Sequence, residues 1–96
     1  MPDYIYNKNG VVIGPGVIRL GGRAIPTKSS NRGGDTIVDG LLAVFVKSEG
    51  LFGARHHVVF SYYYPPGEPD EAVWTTHDRA EAEAVVSALN DLLGLQ

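Results

Sequence analysis

The chain contains no cysteine, which excludes disulfide staples, cysteine-ligated zinc and thiol catalysis together. It also lacks a long hydrophobic run. The longest largely apolar stretch, Leu41 to Val46, falls far short of the ~20 residues that a membrane-spanning helix needs. Positive charge is scarce, with 8 Lys and Arg against 11 Asp and Glu and a formal net charge of -3. A dedicated nucleic-acid binder carries a basic stripe or a high isoelectric point, so that class is set aside. The start, Met1-Pro2-Asp3-Tyr4, has neither the basic nor the apolar segment of a secretory leader. These absences together lead to the expectation of a cytoplasmic protein with no membrane span.

With 96 residues the chain has room for one modest core. The reading is a single domain over 1–96, with a strand-rich part at 1–76 followed by an amphipathic helix at 77–94. The helix is the best-defined element. Asp78 stands where an N-cap belongs and Glu81 follows three residues later, the spacing of a capping box. Ala82, Val85, Val86, Leu89, Leu92 and Leu93 recur at helical spacing, with Glu83, Ser87, Asn90 and Asp91 mostly on the other side. Gly94 marks the exit.

Upstream, short β-prone runs alternate with turn residues. Tyr4 to Asn7 and Val11 to Ile13 flank Asn9-Gly10, the strongest short hairpin signal. Val17 to Leu20 and Arg23 to Thr27 flank Gly21-Gly22, and Pro26 belongs at an edge or strand end. Lys28 to Asp35 has no apolar periodicity and reads as a loop. Thr36 to Lys47 is a long β-branched and apolar strand, bent or bulged at Gly40. Arg55 to Tyr64 is another strand, Pro65 to Asp70 a turn, and Glu71 to Thr76 a last strand that feeds the helix. The fold class is α+β: about seven antiparallel strands in up-and-down order, forming a bent sheet or partly open barrel, capped by one C-terminal helix.

This element order resembles pleckstrin-homology-like domains. The segments Tyr6-Asn7-Lys8-Asn9-Gly10-Val11-Val12 and Arg19-Leu20-Gly21-Gly22-Arg23-Ala24-Ile25-Pro26 are similar to small bacterial domains of that superfold whose function is unknown. The resemblance implies a bent, nearly orthogonal barrel plugged by the helix. It does not bring a phosphoinositide pattern, because Lys8 stands alone in the first hairpin loop.

Several residue sets carry groups capable of chemistry. His56-His57 looks like a metal pair, yet adjacent strand residues point to opposite faces and cannot share one ion without a bulge. His77 lies at the helix entrance, and spacing alone does not join it to them; no metal or other cofactor is assigned. Ser29 to Gly34 could cradle an anion with Lys28 and Arg32 supplying charge, but the phosphate-loop pattern ends in Lys-Ser or Lys-Thr and here Asp35 follows. Asp35, Asp39 and Glu49 offer carboxylates with nothing to place them in one site. Ser61 has neither a nucleophile elbow nor a base partner. An enzyme is therefore not the reading.

The long strand carries the stronger signal. Val38, Leu42, Val44 and Val46 fall on one face, and Ile37, Leu41, Ala43 and Phe45 on the other, broken only by Asp39. A half-exposed antiparallel strand alternates apolar with polar residues, and this one is apolar both ways. Either the helix or the Leu51-Phe52 loop covers the second face, or that face meets another protein. Tyr62-Tyr63-Tyr64 and Trp74 are residue types that anchor interfaces, though Trp74 also suits the core. The leading expectation is a non-enzymatic protein-interaction module that self-associates as a homodimer or docks on a protein partner through Ile37, Leu41, Phe45 and Tyr63. A phage-type or accessory inhibitor fits the same size and acidity. The alternative is a domain for a small anion, a nucleotide or a phosphorylated headgroup, using Lys28, Arg32, Gly33, Gly34, Arg55 and His57.

Overall fold

The computed structural model describes residues 4–29, 36–63 and 70–95. Its strands are β1 (Tyr6–Lys8), β2 (Val11–Gly14), β3 (Val17–Leu20), β4 (Arg23–Ala24), β5 (Lys28–Ser29), β6 (Thr36–Ile37), β7 (Leu41–Glu49), β8 (Arg55–Tyr62) and β9 (Glu71–Thr76), followed by helix α1 (Arg79–Leu93). All pairings are antiparallel between consecutive strands: β1-β2-β3-β4, β5-β6 and β7-β8-β9. Among the described residues the protein is thus an α+β fold of up-and-down sheets that do not close, with one C-terminal helix. The described residues hold nine β-segments where the sequence suggests about seven, and two local causes account for this. Pro26 has no N–H to give a ladder, so the run from Arg23 ends at Ala24 and pairing resumes only at Lys28. Gly40, at φ 75°, turns the backbone left-handed and divides the expected long strand into β6 and β7. The expected polar loop from Lys28 accordingly opens with a strand. Its later residues, Arg32, Gly33 and Gly34 among them, lie outside the described residues, as does most of the turn at 65–70.

The chain divides into two compact units, residues 1–39 with 88–96 and residues 40–87. In the first, Asn9 and Gly10 both adopt positive φ (55° and 79°), the mirror-image turn that matches strand twist, and set the β1–β2 register with Lys8 opposite Val11. Val11, Ile13, Ile18 and Leu20, on β2 and β3, are buried. Buried Thr36 accepts a hydrogen bond from the Gly16 N–H at 2.8 Å, and the Thr27 hydroxyl donates to the Gly16 carbonyl at 3.2 Å. The turn between β2 and β3 is thereby tied to β6 and to the segment before β5.

In the second unit, Val44, Val58, Phe60 and Val73 form the buried side of the β7-β8-β9 sheet. Phe60 meets Tyr62 edge to face, ring centroids 6.2 Å apart. Trp74, opposite Val58, is half-buried.

The helix begins as its sequence predicts, with one difference. Asp78 Oδ1 accepts from the N–H groups of Ala80 and Glu81 at 3.0 and 3.3 Å. The return half of the capping box is relayed: the Asp78 N–H donates to Thr76 Oγ1, and that hydroxyl donates to Glu81 Oε1 at 2.6 Å. Ala82, Val85, Ala88 and Leu89 are buried, with Ala82 and Val85 in the second unit and Ala88 and Leu89 in the first. Leu89 has no solvent exposure. Leu89→Ala should therefore lower unfolding free energy by roughly 2–5 kcal/mol, the range for a core leucine, as read from chemical denaturation; a loss below ~1 kcal/mol, that of an exposed residue, would contradict this packing.

Candidate functional site

The candidate site lies wholly in the second unit, on the sheet face opposite Val44, Val58 and Phe60, and two features of strand pairing create it. Cross-strand partners share a face. Phe45 pairs with Val59 and Val59 with Ala72; Lys47 pairs with His57 and His57 with Thr75. These rows form a face separate from that of Val44, Phe60 and Val58. Between them runs an open groove of about 410 Å³ lined by Phe45, Lys47, Glu49, His57, Val59, Asp70 and Ala72. Val59 is its buried floor, whereas Phe45 keeps 37% of its surface exposed.

A β-bulge decides which residues join Phe45. Leu41 pairs with Tyr62 and Ala43 with Ser61, so Leu42 is the extra residue. Tyr62 lies on the Phe60 side of β8, hence Leu41 falls on the face opposite Phe45. Simple alternation along the strand places the two together; the bulge separates them. Leu42, expected on the buried side, is 60% exposed for the same reason. Ile37 belongs to β6 in the first unit, where it pairs with Lys28. Tyr63 stands exposed just beyond β8, its N–H bonded to the Gly40 carbonyl at 3.0 Å. Of the four expected interface residues, the groove thus takes only Phe45.

The histidines sort by face as strand geometry requires. His56 is buried on the Val58 side, its Nδ1 2.7 Å from Ser48 Oγ. His57 faces the groove, with Nε2 donating to Glu49 Oε1 at 2.7 Å and Nδ1 2.7 Å from Thr75 Oγ1. Thr75 donates to the neutral ring or accepts from the imidazolium. The hydrogen bond from His57 and then its charge hold the Glu49 carboxyl below its ordinary pKa of 4.5. This hydroxyl–imidazole–carboxylate row fixes the ring through both its nitrogens. A nucleophilic Thr75 would further need oxyanion donors aimed at the same point. Among the described residues, no group of three or more His, Asp or Glu is placed to hold a metal ion, and no helix is long and apolar enough to cross a membrane.

The described members of the anion-binding set are divided between the two units, and Arg32, Gly33 and Gly34 lie outside the described residues. Lys28 lies in the first unit and forms an exposed ion pair with Asp39 at 3.1 Å. Arg55, opposite Glu49, and His57 lie in the second unit. Asp39 and Glu49 therefore each have a cationic or imidazole partner rather than one another, and Asp35 lies outside the described residues.

The Leu51-Phe52 loop, one candidate cover for the second face of the long strand, takes a different place. The turn between β7 and β8 is a one-turn 3-10 segment, Leu51–Gly53, closed by the Gly53 N–H on the Gly50 carbonyl at 3.1 Å. Leu51 is 85% exposed and Phe52 fully so, so neither covers the second face of β7. Phe52 is also left-handed (φ 61°, ψ 22°), a conformation that a bulky residue rarely adopts. At the base of this tip, His77 Nδ1 donates to the Ala54 carbonyl at 3.1 Å. The signal was in the sequence: two large apolar residues between Gly50 and Gly53, where a turn ordinarily carries polar ones.

Compared with known proteins, the chain matches no family model, no curated protein and no solved structure.

Two outcomes test this geometry. Phe52→Asn should raise stability in dilute solution by about 1 kcal/mol, because asparagine accepts the left-handed region and no buried surface is lost; an unchanged or lower thermal midpoint would contradict the assigned turn. Glu49 has a depressed pKa, so its contribution is present above 4.5 and is lost as pH falls through the lowered value. The gap in thermal midpoint between wild type and Glu49→Gln should close as pH falls below 4.5 and through the lowered value. A gap that persists at the acid end would show that the carboxylate is not the cause.

Proposed function

We propose that this chain is a non-enzymatic protein-interaction module of pleckstrin-homology-like architecture, which associates with a second copy or a protein partner through the groove face of the β7-β8-β9 sheet. One observation carries the reading: Phe45 stands on a face with a buried apolar floor, Val59, and a wall, Ala72, but remains substantially exposed. Aromatic residues set in a partly formed pocket and ringed by charge are the residue pattern of an interface centre. Exposed Leu42, Leu51, Phe52 and Tyr63 in the same unit add to the apolar surface. The anion-binding alternative draws less support, since Lys28 and His57 are already engaged by Asp39 and Glu49.

Phe45→Glu tests the proposal. The variant should keep the wild-type circular dichroism and melt cooperatively, and should be monomeric by sedimentation under conditions where wild type associates. An unfolded variant would make Phe45 part of an ordinary core, since burying an unpaired carboxylate costs several kcal/mol.

A further inference from the structure

We infer that the Leu51–Phe52 tip is an anchor that seats in the groove of a second copy of this chain, forming a two-fold dimer whose axis lies level with Ser48. The inference rests on the reading of the groove face as an interface and adds the identity of its occupant. The tip is two adjacent large side chains, 85% and 103% exposed, at the apex of the β7–β8 hairpin. Its backbone is closed by the Gly53–Gly50 hydrogen bond and braced by His77 on Ala54, so little freedom remains to be lost on docking. The groove offers what such a knob requires: Val59 as floor, Phe45 and Ala72 as apolar walls.

Spacing and charge select the two-fold arrangement. Along a strand each residue advances about 3.3 Å. The ladder ends at Glu49, one step beyond Ser48, and the Leu51–Gly53 turn carries the tip past it, whereas Phe45 lies three steps, about 10 Å, before Ser48. Two antiparallel hairpins related at Ser48 therefore set the tip of each copy toward the Phe45 end of the other, twice over. The same axis sets Lys47 of each copy against Glu49 of the other, and both side chains line the groove. A parallel in-register arrangement would oppose Lys47 to Lys47 and Glu49 to Glu49. Glu49 spends one oxygen on His57, and a carboxylate has about four acceptor positions. The tip's base carries Arg55 directly opposite Glu49, so it has no unopposed basic collar of the sort that draws a finger to an anionic bilayer.

Sedimentation over a concentration series tests the dimer with four variants, circular dichroism confirming the fold of each. Wild type should dimerise reversibly, and Phe52→Ser should weaken the dimer at least about tenfold. Lys47→Glu and Glu49→Lys should each be weakened alone, because like charges then meet on both sides of the axis. An equimolar mixture of these two should form a heterodimer, the arrangement being restored by complementary swaps. A dimer lost in Phe45→Glu but indifferent to Phe52→Ser and to the charge swaps would overturn the tip's role and leave the interface reading standing. A monomeric wild type, whether or not it floats with anionic vesicles, would overturn the dimer and leave a different protein or a lipid surface as the partner.

Discussion

The pairing of β7 with β8 is the constraint on which the second unit depends. Eight residue pairs run from Leu41↔Tyr62 to Glu49↔Arg55, and the bulge at Leu42 fixes the side to which each β7 residue turns. With Ala43 opposite Ser61, Val44 falls to the buried side beside Phe60 and Phe45 to the groove beside Val59. A one-residue slip would exchange these sets and place Lys47 and Glu49 among the valines. The second bulge, at Val73, does similar work on β9: Val58 pairs with Trp74 and Val59 with Ala72, so Val73 is buried while its neighbour Ala72 lines the groove.

The tip and the groove follow from this ladder and from the helix entrance. Glu49 and Arg55 end the pairing, so the chain must reverse within Gly50 to Ala54. The reversal is held by backbone hydrogen bonds and by His77, the residue before the N-cap Asp78. The relay through Thr76 and Glu81 in turn fixes Asp78. The helix start, the end of β9 and the hairpin turn thus share one polar cluster. The exposed apolar pair Leu51–Phe52 projects from a braced base.

Local signals were readable from the residues wherever the chain itself decides the outcome. The Asp78 cap, the helical spacing of Ala82, Val85 and Leu89, the Asn9-Gly10 turn and the opposed histidines all depend on neighbours in sequence. The bulges were not readable, because an extra residue at Leu42 is defined by what lies opposite on β8. For that reason Leu41 was grouped with Phe45. Lys28–Ser29 carries no apolar pattern and pairs only because Thr36–Ile37 lies beside it. The candidate site was legible in part: Phe45 and His57 could be named, whereas the alliance of Glu49 with His57 and Thr75 needed the cross-strand register. The Leu51–Phe52 pair is visible in the sequence, but there it reads as one of two candidate covers, since an exposed apolar turn runs against the usual composition of turns.

Phe45 faces the surface that we propose is used for association, while its neighbour Val44 faces the core. The absence of native cysteine allows a single thiol to report on each position. Phe45→Cys and Val44→Cys would be labelled with a thiol reagent in the folded state across a range of protein concentrations. The account predicts rapid labelling at position 45 in dilute protein, slowing as concentration rises, and slow labelling limited by unfolding at position 44 throughout. Equal, unfolding-limited labelling at both positions at every concentration would place Phe45 in the core and contradict the account.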